Sequence, residues 1–128
     1  MKKILVTDDQ PSCHVVLKTM IENQTKGVNK YIDCQMLSAF SGKECLEKIK
    51  EYKPDLVFMD LDMPEMSGLE AVKRIREDGQ LDQLCVVALT GDVRHYGEEN
   101  FMESGFNEYM TKPFNVTEMI RYIVSVLK

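Results

Sequence analysis

Two short runs, "LVFM" at 56–59 and "CVVAL" at 85–89, are apolar at every position. A strand with one face in water alternates apolar and polar residues, and these do not. At four and five residues they are too short for most buried helices. They read as strands covered on both faces, which requires a sheet with helices packed on each side. Each run ends abruptly in polar residues, the first in "DLD" (60–62) and the second in "TGD" (90–92).

The rest of the chain fits that frame. Strand patterns at 3–7, 33–39, 55–60, 84–90 and 108–111 alternate with helical patterns at 11–23, 42–52, 67–78, 93–105 and 115–128. In the first helix Cys13, Val16, Leu17, Met20 and Ile21 have helical spacing, and Pro11 suits its first turn. Ser41 is placed to cap the second helix, Asn115 or Thr117 the last, and Gly105 to end the fourth. Residues 23–32 are polar, contain Gly27 and read as a long loop. Strand–helix alternation implies a doubly wound α/β fold with a parallel sheet, and 128 residues suit one domain, 1–128.

Composition excludes several classes. The net charge is −5 and no basic run occurs, which argues against direct nucleic-acid binding. No stretch is long and apolar enough to span a membrane, and the start lacks a signal-peptide core, so a cytosolic protein is expected. Cys13, Cys34, Cys45 and Cys85 form no C-x-x-C pair or zinc spacing and read as buried, reduced thiols. His14 and His95 have no evident catalytic partner and default to exposed surface.

In open parallel sheets, ligands bind beyond the carboxyl ends of the strands, where strand order reverses. Those ends here carry Asp8 and Asp9, Asp60 and Asp62, Thr90, and Lys112. Four carboxylates in one cleft repel one another, and a hard divalent cation, Mg²⁺ before Ca²⁺, is the natural remedy. A carboxylate is also a nucleophile toward phosphorus, and a transferred phosphoryl group needs a cation and neutral donors around its oxygens. Lys112 supplies the cation and Thr90 a hydroxyl, while Gly91 leaves the approach open.

"VTDDQ", "VFMDLDMPEMSGLE", "VALTGD" and "YMTKPF" resemble, in order and spacing, the receiver domain of two-component response regulators, over essentially the whole chain. The resemblance implies a flavodoxin-like five-stranded sheet of order 2-1-3-4-5. It implies that Asp60 is the phosphoacceptor, Asp9 a direct metal ligand, Asp8 an acid acting through a metal-bound water, and Asp62 a ligand through its carbonyl. Thr90 and Tyr109 are then the switch residues, Lys112 the charge partner, and the Lys112–Pro113 peptide cis. Pro64 and Gly68 read as turn residues shaping the loop after Asp60, and the acids Asp62 and Asp92 flank the path of an attacking water.

The implied partner is a histidine kinase or histidine phosphotransfer domain. It docks on an outer stripe of the first helix formed by Pro11, His14, Val15 and Lys18. Residues 93–127 would be read by a downstream protein target, and a homodimer there is allowed but not demanded. Such a domain is a signalling receiver that catalyses its own phosphorylation and dephosphorylation, not an enzyme of external substrates. It can stand alone or belong to a hybrid histidine kinase. A haloacid-dehalogenase-type phosphatase also uses Asp-x-Asp after an apolar strand, with Asp62 as acid/base. It leaves Asp8 and Asp9 unexplained and calls for a substrate cap that is not evident.

Overall fold

The computed structural model describes residues 2–25, 34–91 and 103–127, and the side chains of all of these except 22–25. Five parallel strands, β1 (Lys2–Thr7), β2 (Cys34–Ala39), β3 (Leu56–Asp60), β4 (Cys85–Thr90) and β5 (Glu108–Thr111), form one sheet in the order β2-β1-β3-β4-β5. The all-apolar runs lie where they must. β3 is buried at all five positions between β1 and β4, whereas the edge strands β2 and β5 are only partly buried.

Alternate side chains of the central strands feed two cores. Ile4, Val6, Phe58, Val87 and Leu89 pack beneath α1 (Pro11–Thr25) and the C-terminal helix (Val116–Leu127). Leu5, Val57, Met59, Val86 and Ala88 pack beneath α2 (Gly42–Tyr52) and α3 (Gly68–Glu77). Each fully buried aliphatic or aromatic side chain contributes roughly 1.5–3 kcal/mol, enough in sum to carry buried polar groups at the strand ends.

Local signals set the helix limits. Ser41 Oγ accepts from Glu44 N–H at 3.1 Å, and Ser67 Oγ accepts from Glu70 N–H at 3.2 Å. Asn115, not Thr117, caps the C-terminal helix: its Oδ1 accepts from Glu118 N–H at 2.9 Å. Gly105 follows the helical residues 103–104 with φ of 112°, a left-handed conformation suited to glycine.

Several expectations need correction. α1 runs through Thr25, beyond the expected end at 23, because neither glycine nor proline intervenes before Gly27. A 3₁₀ turn at Gly79–Leu81, capped by Asp78, had no periodic signature. Val16 is 49% exposed rather than inward, and His14, expected at the surface, is 6% exposed. Cys13 and Cys45 are buried, but Cys34 and Cys85, which open β2 and β4, are only partly so. The expected loop at 23–32 and helix at 93–105 fall largely outside the described residues, as do Asp92 and His95.

Candidate functional site

Strand order reverses between β1 and β3, since β1 connects onward to β2 on one side while β3 lies on the other. The register places Thr7 opposite Met59, Asp60 opposite Leu89, and Thr90 opposite Thr111, so the carboxyl ends form one level rim. Asp8 and Asp9 follow β1 on that rim, and Asp60 ends β3 beside them. Carboxylate oxygens of Asp8, Asp9 and Asp60 lie within 4.8 Å of one another. Asp8 is fully buried and Asp60 is 4% exposed.

Lys112 reaches into this group from the end of β5. Its Nζ donates to Asp8 Oδ2 at 2.8 Å and lies 3.5 Å from Asp60 Oδ1. Lys112 N–H donates to the Thr90 carbonyl at 2.8 Å, which locks the lysine backbone to the last residue of β4. The Lys112–Pro113 peptide is cis. Thr90 is fully buried at the same rim, and Gly91 beside it is exposed.

The acids are not electrostatically equivalent. Burial pushes the Asp8 carboxyl up, but bonds from Lys112, Cys13 and Gln10 N–H, with the Lys112 charge, outweigh it and hold Asp8 below the usual value. Burial also pushes Asp60 up, the Asp8 charge adds to it, and Lys112 with Asp62 N–H compensates only in part, so Asp60 lies above the usual value. Burial opposes the Lys112 charge, yet the bond to Asp8 and the charges of Asp60 and Asp8 raise it. Burial and contact with Asp8 push the Cys13 thiol up to about 12, and burial pushes Cys45 up to about 11, so both are poor nucleophiles at neutral pH.

Three carboxylates against one ammonium leave negative charge uncompensated in a largely buried cleft. The donors are hard oxygens and few in number, which fits a cation that keeps several of its own waters, as Mg²⁺ does. The Asp62 side chain is exposed and outside the three-acid group, while its N–H donates to Asp60 Oδ1 at 3.3 Å. Tyr109 is half-buried on β5 and packs against the core beneath α2 and α3.

The segment after Asp60 has a requirement that its sequence hid. Gly68 N–H donates to the Leu61 carbonyl at 3.1 Å, so the start of α3 folds back onto the end of β3. A Cβ on Gly68 would meet the Asp60 carbonyl oxygen at 2.4 Å. Gly68 is therefore a close-approach glycine, not only a turn former. Glu65, with φ of 67°, takes the left-handed conformation within the same segment.

Of the expected docking stripe, Pro11, Val15 and Lys18 are exposed and His14 is not. His14 turns inward because polar partners await it there: Nδ1 lies 2.9 Å from Ser38 Oγ and Nε2 lies 2.8 Å from the Asp8 carbonyl. Ser38 is 24 positions away in sequence, so no local pattern could have disclosed the pair.

Residues 4–124 match the family described as the response regulator receiver domain. The chain belongs to that family. Among relatives, a 14.6 kDa uncharacterised protein of Leptolyngbya boryana is 35% identical over 120 residues, covering 94% of this chain and 86% of the relative. The polar-differentiation response regulator DivK of Brucella anthropi is 37% identical over 87 residues, 68% of this chain and 71% of that one. The receiver fold also matches the Francisella response regulator 1452 receiver domain (TM-score 0.82, 28% identity, 99% and 96% of the two chains). A similar fold occurs in the receiver domain of the Pseudomonas aeruginosa sensor histidine kinase PA1611, described with magnesium in its active-site cleft (TM-score 0.83, 22% identity, 98% and 97%). Among the described residues, no helix of this receiver is long and apolar enough to cross a membrane.

Proposed function

We propose that this receiver takes a phosphoryl group onto Asp60 from a phosphohistidine of a histidine kinase or phosphotransfer domain, in a Mg²⁺-dependent reaction. The observation that carries this reading is the approach of Asp8, Asp9 and Asp60 within 4.8 Å, with Lys112 Nζ beside both Asp8 and Asp60.

Asp8 and Asp9 would hold the cation with Asp60, and the Asp62 carbonyl would add a ligand. The bound ion would supply positive charge to the phosphoryl oxygens. An Asp60 carboxylate oxygen attacks phosphorus as the phosphorus–nitrogen bond breaks. The electron pair leaves with the imidazole, which takes up a proton. Lys112, held by Asp8 and by Thr90, offers a fixed ammonium to the incoming charge, and the Thr90 hydroxyl is a neutral donor at the same rim. Hydrolysis of the aspartyl phosphate then returns the carboxylate, and the exposed side chain of Asp62 borders the path of that water.

The partner is expected over this rim, against α1. Exposed Val15 (65%) and Val16 (49%) support that surface, with Val16 taking the place first given to His14. Thr90 and Tyr109 would pass the change to a downstream protein along residues 93–127.

Intact-mass spectrometry after incubation with acetyl phosphate tests the reading. One phosphoryl addition that needs Mg²⁺, is lost in EDTA and is absent in Asp60→Asn supports it. Steady phosphate release with robust turnover of p-nitrophenyl phosphate would replace it with a phosphatase.

A further inference from the structure

Asp8 makes use of every polar group it has. Oδ1 accepts from Gln10 N–H at 2.8 Å, Oδ2 accepts from Lys112 at 2.8 Å, and the backbone N–H donates to the Ala39 carbonyl at 3.1 Å. Its own carbonyl faces His14 Nε2 at 2.8 Å. A carbonyl can only accept, so Nε2 carries the proton in this pair. In the neutral ring Nδ1 is then an acceptor, and the Ser38 hydroxyl at 2.9 Å donates to it. One tautomer satisfies both contacts, and the Phe40 ring, with its centroid 4.2 Å from that of His14, closes over the imidazole.

The Asp8 carbonyl and the Asp9 N–H belong to one planar peptide unit. Fixing that carbonyl therefore fixes the plane from which both acidic residues leave the chain. We propose that His14 is a positioning residue for cation binding: by donating Nε2–H to the Asp8 carbonyl it sets the orientation of the Asp8–Asp9 pair. Its other nitrogen anchors the ring to Ser38 on β2, so the pair is referenced to the sheet and not to a free helix face. The inference rests on the proposed role of these acids as cation ligands. Groups that orient metal ligands influence affinity by about 10–100-fold when removed.

Glutamine can place an amide nitrogen near Nε2, and asparagine near Nδ1, so the two substitutions separate the contacts. Binding of Mn²⁺, a paramagnetic ion for the same oxygen donors, is followed by electron paramagnetic resonance, and folding separately by thermal melts. His14→Gln should bind Mn²⁺ nearly as well as wild type, and His14→Asn about 10-fold more weakly, although both melt at similar temperatures. In wild type, ¹⁵N NMR of the imidazole should show a protonated Nε2, a readout that needs no variant. Equal Mn²⁺ affinity in the Asn and Gln variants, or a protonated Nδ1 with bare Nε2, overturns the positioning role alone. A wild-type protein that binds no Mn²⁺ overturns the reading of the acidic cleft, and this inference with it.

Discussion

At the rim where the strands begin, Asp55 is exposed and its Oδ2 accepts from the Lys3 N–H at 2.9 Å, while Lys3 Nζ donates to the Tyr52 carbonyl at 3.1 Å. At the rim where they end, Asp8 and Asp60 are buried beside each other, and one lysine serves both. The residue types are the same. The first rim spends its acid on a backbone donor in water, where a charge costs little. The second gathers like charges out of water, where Lys112 sustains the charge of Asp8 but compensates that of Asp60 only in part, so the Asp60 charge opposes folding unless a ligand neutralises it. That contrast separates groups that serve the fold from the groups to which the proposed function assigns the chemistry.

Lys112→Ala should break the contrast most deeply. Phosphoryl uptake from acetyl phosphate is expected to slow by about 100-fold, as when one preorganised electrostatic partner is removed. Intact-mass time courses measure this, with circular dichroism to check the fold. Next is Gly68→Ala, whose new methyl meets backbone at the Asp60 carbonyl and at Leu61 Cα. A loss of about 1–3 kcal/mol in urea unfolding is expected. Gly79→Ala, with nothing within 4 Å of the added methyl, should leave the urea midpoint nearly in place.

A third test sharpens the comparison through pH. Asp60 has its folded-state value raised by burial and by Asp8, so its ionised form opposes folding above the ordinary carboxylate range. In EDTA at pH 7, Asp60→Asn should therefore melt above wild type. The gap should narrow as the pH falls toward 4 and wild-type Asp60 takes up its proton. Asp8 has the opposite dependence, stabilising above its ordinary value and losing that as pH falls through its lowered one, and it is present in both proteins. A gap unchanged between pH 7 and 4 would remove Asp60 as its source. At the other rim, Asp55→Ala should cost about 0.5 kcal/mol, the low end for one hydrogen bond, and leave phosphoryl uptake unaltered.

The sheet was legible because "LVFM" and "CVVAL" have no polar face, and α2 because Ser41 and its apolar spacing fix both ends. The acids and Lys112 were legible as candidates because each stands directly after a strand pattern. What stayed hidden depends on partners far away in sequence. The first helix turns His14 inward and Val16 outward because Asp8 and Ser38 offer hydrogen bonds to an imidazole, and hydrophobic periodicity takes no account of such offers. The demand on Gly68 was hidden likewise, since it comes from a carbonyl eight positions earlier.

The contact between Gly68 N–H and the Leu61 carbonyl closes the intervening residues into a small ring whose two ends are fixed. Added residues there could not lengthen the path between β3 and α3; they could only bulge outward around exposed Pro64 and Glu65. Grafting a recognition peptide or a spectroscopic label into that arc would alter the outer surface of the cleft while leaving Asp60 at its post. The same graft on the Gly68 side of the closure would push against Asp60 itself.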